Sequence, residues 1–199
     1  MKHRNLLMIS MAVYINIVMT YDVERARKEW QEVRKASPKN PIKRPTYTKE
    51  PGYSDALWWQ VQTNTQGHRV YNRPMIEDPT SYDVLLPEWK GTIFEEILND
   101  YNAYCARFRI MSPGTTLHVH TDEWTPSLYV YFFVLYTNEH SFFLVQKEDK
   151  PASPTHAWDA FHYPSDGNVY PTRYDIPHAA FNGGTTPKVN LQFRSKNDL

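Results

Sequence analysis

From Arg107 to Arg194 the chain breaks into short runs that suit strands and little else. Arg107–Met111, Thr115–Asp122, Ser127–Thr137, Ser141–Gln146, Asn168–Ile176, His178–Asn182 and Lys188–Arg194 are rich in β-branched and aromatic residues. Each ends in a cluster that turns the backbone. The breaks are Ser112-Pro113-Gly114, Trp124-Thr125-Pro126, Asn138-Glu139-His140, a proline-bearing loop over Glu148–Asp166, and Gly183-Gly184. Strands this short and this closely spaced pair antiparallel through tight turns, and they bury a face only by forming a sandwich or barrel. Composition agrees: aromatics make up 15% of the chain, and 15 prolines stand against 7 glycines. That is a strand-and-loop mixture, unlike a helical bundle or a disordered chain.

The first hundred residues read differently. Asp22 can cap a helix in which Glu24/Lys28 and Arg25/Glu29 are spaced for surface pairs. Its sparse apolar positions (Val23, Ala26, Trp30, Val33) predict a surface helix lying on the main body. Ser37–Gly52 carries Pro38, Pro41, Pro45 and Pro51 and reads as a linker or wrapping arm with solvated charge. Ala56–Thr63 is strand-like, with Trp58 and Trp59 on opposite faces. Pro74–Pro87 reads as loop. A second helix starts at Thr92, where Thr92 and Glu95 form a capping-box pattern and Ile93, Phe94, Ile97, Leu98 and Tyr101 supply an apolar face. The expected organisation is an apolar extension over 1–20, then one domain over 21–199, helical and looped to about residue 103 with a β core over 104–195.

Charge and cysteine usage narrow the surroundings. Acidic and basic side chains balance at 22 each, so no basic surface for nucleic acid is expected. The apolar run Leu6–Met19, interrupted by Ser10 and Asn16, is short for a membrane span, and no stable insertion is expected. No small-x-small cleavage site follows it, so the cytoplasm is the expected compartment. The single cysteine, Cys105, forms no intramolecular disulfide and reads as a small buried residue.

The residues with chemistry cluster in two segments. In Pro113-Gly114-Thr115-Thr116-Leu117-His118-Val119-His120-Thr121-Asp122-Glu123, strand alternation puts His118, His120 and Asp122 on one face. In Asp175-Ile176-Pro177-His178 a further histidine follows a strand. Two imidazoles and one carboxylate form the facial triad of non-haem iron sites, which leaves positions open for cosubstrate and oxygen. His120, Asp122 and His178 are therefore the predicted metal ligands and catalytic centre, with His118 beside them or facing substrate. A cupin-type metal site built from His118, His120, Glu123 and His178 is the competing arrangement, and a non-catalytic barrel that binds a ligand is a third. Trp124 is placed near the site by sequence, whereas Trp58, Trp59 and Trp158 are more simply packed in a core.

The pattern Arg-x-Arg, then Pro-Gly followed by His-x-Asp, then Tyr136-Thr137-Asn138, then Ile176-Pro177-His178-x-x-x-Asn182, resembles the aspartyl/asparaginyl β-hydroxylase-like branch of the 2-oxoglutarate- and Fe(II)-dependent oxygenases. The resemblance covers roughly Tyr104 to Arg194. It implies a mostly β fold with flanking helices around a double-stranded β-helix (a cupin-like jelly roll), with Fe(II) as cofactor, 2-oxoglutarate as cosubstrate, and hydroxylase activity. The substrate would be a small molecule or a peptide, an amino-acid or protein side chain being favoured. The family's cosubstrate arginine falls here at Lys188, a point charge where arginine offers a fork. The Arg-x-His that relatives carry before the Thr-Asn turn is absent. Tyr129 or Tyr131 is the implied substitute, with Asn182 also set at the cosubstrate.

Overall fold

In a computed structural model, which describes residues 19–38, 41–43 (backbone only), 57–68, 78–121, 127–147 and 158–199, the strand order itself defines the fold. Helix α1 (Val23–Ala36) precedes β1 (Pro41–Lys43), β2 (Leu57–Gln60), β3 (Gln62–Thr63), β4 (Val84–Leu85) and helix α2 (Ile93–Asp100). Then come β5 (Ala103–Met111), β6 (Thr116–His120), β7 (Tyr129–Tyr136), β8 (Ser141–Gln146), β9 (Trp158–Phe161), β10 (Val169–Arg173), β11 (His178–Asn182) and β12 (Lys188–Ser195). The last eight form two facing antiparallel sheets, β5-β12-β7-β10 and β6-β11-β8-β9, and the chain alternates between them except at the β8–β9 hairpin. This is a jelly roll: the sandwich expected from the strand spacing, in the double-stranded β-helix form that the resemblance implies. β2 and β1 widen the larger sheet beyond β5.

The larger sheet is covered on both faces, which explains its burial. Phe108, Ile110, Phe133, Leu135, Val189, Leu191 and Phe193 share one hydrophobic cluster with Ala26, Trp30 and Val33 of α1 and with Ile93, Phe94, Ile97 and Leu98 of α2. Met111, Phe132 and Val134 belong instead to the cluster inside the sandwich, with Leu117, Phe143, Val145 and Ala180 of the smaller sheet. The two-residue strand period therefore sends one register to the helices and the other between the sheets. Trp59 joins the helix-side cluster, while Trp58 lies under the Arg107 guanidinium, 4.3 Å from ring centroid to Cζ. The predicted opposition of the two tryptophans holds.

α1 is capped as expected: the Asp22 carboxylate accepts from the backbone N–H of Glu24 and Arg25, both at 3.0 Å. α2 is capped differently. The Thr92 hydroxyl donates backwards to the Trp89 carbonyl at 2.6 Å, because a 3-10 turn over Pro87–Trp89 leaves that acceptor within reach. Glu95 takes the Gly91 N–H, and Glu29 of α1 accepts from Ile93 N at 2.6 Å. The first turn of α2 is thus satisfied partly by α1, and Arg25 ties the helices further by pairing with both Glu29 and Glu96 at 2.8 Å. The Pro74–Pro87 region, read as loop, holds a 3-10 turn and β4 within its described part, and β9 emerges inside the predicted Glu148–Asp166 loop. β9 was hidden because it is an exposed edge strand with no buried alternation. The predicted arm over Ser37–Gly52 falls mostly outside the described residues, but its Pro41–Lys43 piece pairs with β2. Residues 1–18 lie outside them. Among the described residues no helix is long and apolar enough to cross a membrane.

One glycine is required beside Tyr21, just before α1. Thr20 bridges Asn168, Tyr21 N donates to Gly167 O at 2.8 Å, and Gly167 has φ +87°. A Cβ there would run into the Tyr21 carbonyl oxygen. Gly167→Ala is expected to cost about 1–3 kcal/mol, from strain plus the clash. A urea midpoint equal to that of the parent would contradict this.

Candidate metal centre

His120 ends β6 and His178 begins β11, and the two are register partners across the smaller sheet. Their ring centroids lie 4.3 Å apart. His178 is buried and His120 half-buried. Each ring is held by its Nδ1: His178 on the Ile176 carbonyl at 2.9 Å, His120 on the His118 carbonyl at 2.7 Å. A carbonyl only accepts, so each Nδ1 carries a proton and Nε2 is the nitrogen left to face a metal. Such a backbone anchor fixes both tautomer and ring plane, as is usual behind a metal-binding histidine. The Tyr174 ring at 3.9 Å and the Phe143 ring at 5.5 Å pack against His178 and exclude solvent from that side.

Strand alternation does not survive intact along β6. His178 pairs with His120 but Ala180 pairs with Leu117, so β6 carries an extra residue at this point. Such a bulge changes which residues share a face. Leu117 stays in the core between the sheets and His120 comes opposite His178, while His118 and Val119 are both exposed. The expectation that His118 and His120 share a face is thereby corrected, and the four-residue cupin arrangement loses His118. Asp122, Glu123 and Trp124 lie outside the described residues. Among the described residues no group of three or more His, Cys, Asp or Glu side chains gathers as a metal site. The chemistry of the pair itself, two imidazoles with planes fixed through Nδ1, suits one edge of a divalent transition-metal site.

Between the sheets beside this pair lies a small, partly open recess. It is lined by Arg109 and Met111 of β5, Phe132 and Val134 of β7, Phe143 of β8, Ala180 of β11, Lys188 and Asn190 of β12, and Tyr163. Ala180 is two residues beyond His178 on the same strand face, so the recess begins roughly 7 Å from that histidine. Lys188 is 5% exposed, and among the described residues it has no hydrogen-bond or ion-pair partner. Burial, then the nearby Arg109 guanidinium, pushes its ammonium down to about 8. Burial pushes the Tyr163 phenol up, so it stays neutral. Arg109 also reaches Tyr174, with Nη1 3.4 Å from the hydroxyl, which links the recess to the ring that packs on His178.

The other cosubstrate residues expected from sequence are elsewhere. Tyr131 is on the helix side of β7 with its hydroxyl donating to Asp198 at 3.0 Å, and Tyr129 packs against the same helix-side cluster. Neither faces the recess, because odd positions of β7 point to the helices. Asn182 is buried but fully committed. Its oxygen accepts from Asn138, Ser141 and Gly184 N, and its amide donates to the Met111 and Thr186 carbonyls. No donor is left for a cosubstrate; Asn182 holds the turns at the end of the barrel. Sequence reasoning missed Arg109, Asn190 and Tyr174. The signal for the first two was parity: Asn190 shares a face with Lys188, and Arg109 is Asn190's register partner.

No protein-family model matches the sequence, and no curated protein matches it. Among solved structures, it is similar to an oxidoreductase of the 2OG-Fe(II) oxygenase family from Burkholderia pseudomallei. The TM-score is 0.48 at 13% identity, over 82% of this chain and 76% of that one. It is similar also to a cupin domain from Bordetella pertussis (TM-score 0.34, 14% identity, 47% and 81% of the two chains). A third is oxalate decarboxylase from Bacillus subtilis (0.33, 24%, 47% and 21%), of which the chain spans about a fifth. At these scores the strand order remains the ground for the fold, and chemistry has to be argued from side chains.

Proposed function

We propose that this chain is an Fe(II)- and 2-oxoglutarate-dependent oxygenase that hydroxylates an amino-acid or protein side chain. The metal is held by His120, His178 and Asp122, and the far carboxylate of the cosubstrate by Lys188. One observation carries the reading: two backbone-anchored imidazoles face each other across β6 and β11, next to a recess that ends on a buried ammonium with no partner among the described residues. A metal-bound organic acid lying in that recess would place its second carboxylate against Lys188.

Iron with 2-oxoglutarate supplies the activation of oxygen that no amino-acid side chain provides. The chain's own residues do the rest. His118 and Ile176 contribute carbonyls that hold the Nδ1 protons and leave both Nε2 atoms to the metal. Phe143 and Tyr174 fix the plane of His178 and keep water from it. Lys188 binds the acid in a setting of low polarity, where a charge pair is worth more than in water. The exposed position of His118 favours this reading over a cupin-type site.

Anaerobic titration with Fe(II) and 2-oxoglutarate tests the proposal through the metal-to-ligand charge-transfer band. The wild-type chain is expected to show the band, and His178→Ala to lose it. A wild type without the band overturns the oxygenase reading; a His178→Ala variant that keeps it overturns the ligand assignment.

A further inference from the structure

A lone lysine is a poor clamp: it offers charge without direction, and a carboxylate can swivel on it. The wall around Lys188 supplies the missing direction. Asn190 lies two residues further on the same face of β12, is 2% exposed, and its Nδ2 has no hydrogen-bond partner among the described residues. Buried amide donors are rarely left so, because the lost hydration is not returned. Across the sheet, Arg109 is the register partner of Asn190, and its guanidinium lines the same recess. The described lining thus holds an ammonium, a guanidinium and an amide, with no carboxylate among them. A water could satisfy the amide alone, but an anion answers the amide and the ammonium together, with the guanidinium on the same wall.

We propose that Arg109 and Asn190 complete the anchor, so that one carboxylate of a small dicarboxylic acid is clasped between two neighbouring strands, by Lys188 and Asn190 of β12 and Arg109 of β5. The planar fork that a single arginine would provide is here divided, the charge at Lys188 and the fork on the adjacent strand. The inference rests on reading Lys188 as an acid anchor, but it needs no metal.

The test is calorimetric titration of the metal-free protein with 2-oxoglutarate and with glutarate, which keeps both carboxylates and lacks the keto group. Both acids are expected to bind the wild type. Arg109→Gln and Asn190→Ala are each expected to weaken binding about tenfold or more. Asn190→Asp is nearly isosteric and sets a carboxylate inside the clasp, so it should lose both acids while melting higher than the wild type. It therefore decides the matter even where Arg109→Gln fails to fold. An Asn190→Asp chain that binds as well as wild type overturns the clasp, and the Lys188 anchor then stands alone if Lys188→Ala still abolishes binding. Glutarate binding that depends on Arg109 and Asn190, without a charge-transfer band on adding iron and 2-oxoglutarate, removes the oxygenase reading and leaves the clasp in place. A wild type that binds neither acid overturns the clasp, and the charge-transfer titration decides the oxygenase reading separately.

Discussion

Lys188→Met is expected to make the protein more stable and to abolish its binding of 2-oxoglutarate. Methionine matches the lysine stem in shape and removes a buried ammonium that has no counter-charge among the described residues. Relief of such a charge is worth about 1–3 kcal/mol. The pH dependence identifies the cause. Unfolded, the ammonium titrates near 10.4; folded, burial and Arg109 hold it at about 8. Below pH 8 both states keep the proton, so the wild type carries the full penalty. Between pH 8 and 10 the unfolded chain holds more protons than the folded one, and wild-type stability rises with pH. The stability gap between Lys188→Met and wild type should therefore close over that interval. Acid binding by the wild type should weaken over the same interval, as the ammonium is lost. Urea midpoints of both proteins at pH 7 and pH 9.5 check this, and a constant gap would overturn it. A chain that gains stability by losing a residue holds that residue for its ligand.

The largest loss of stability is expected from Trp30→Ala, at about 3–5 kcal/mol. Trp30 is 1% exposed. Its ring lies 4.1 Å from Phe108, 5.5 Å from Trp59 and 5.9 Å from Trp89, all centroid to centroid, so it joins α1 to the larger sheet. The cavity left behind would sit beneath the segment of β5 where Phe108 separates Arg107 from Arg109. Native domains are stable by only about 5–15 kcal/mol, so much of the margin would go. Acid binding should fall in step with the folded fraction, not through a changed affinity in the molecules that remain folded. Equilibrium urea unfolding measures the loss, and a value under about 1 kcal/mol would mean that α1 is not part of the cooperative unit.

The parts of this protein that were legible in its sequence are those governed by local rules. Turn residues such as Ser112-Pro113-Gly114 and Gly183-Gly184 mark where strands stop, and every strand of the two facing sheets but β9 follows. The histidine pair was readable from the strand pattern around His120, from His178 following a strand, and from the resemblance that joins the two segments. What failed depended on distant partners. Lys188-Val189-Asn190-Leu191-Gln192 alternates as an edge exposed to water would, yet its polar register faces the space between the sheets and its apolar register faces the helices. Only the helices decide that, and they are a hundred residues away. Tyr129 and Tyr131 were misplaced for the same reason. The Thr92 cap was displaced by Glu29, a side chain from another helix. The bulge in β6 follows from Ala180 claiming Leu117 for the core while His178 claims His120 for the site. Neither demand is visible within the segment that bends to meet both.

That same bulge leaves a convenient handle for spectroscopy. Val119 is 57% exposed, contributes nothing to the core, and immediately precedes His120. The chain's single cysteine, Cys105, is buried, and burial pushes its thiol up to about 12, so it is inert to alkylating reagents near neutral pH. A Val119→Cys thiol would thus take a spin label or fluorophore selectively, without first removing the native cysteine. The reporter would ride on the extra residue beside the paired imidazoles, where a paramagnetic ion broadens or quenches its signal on arrival.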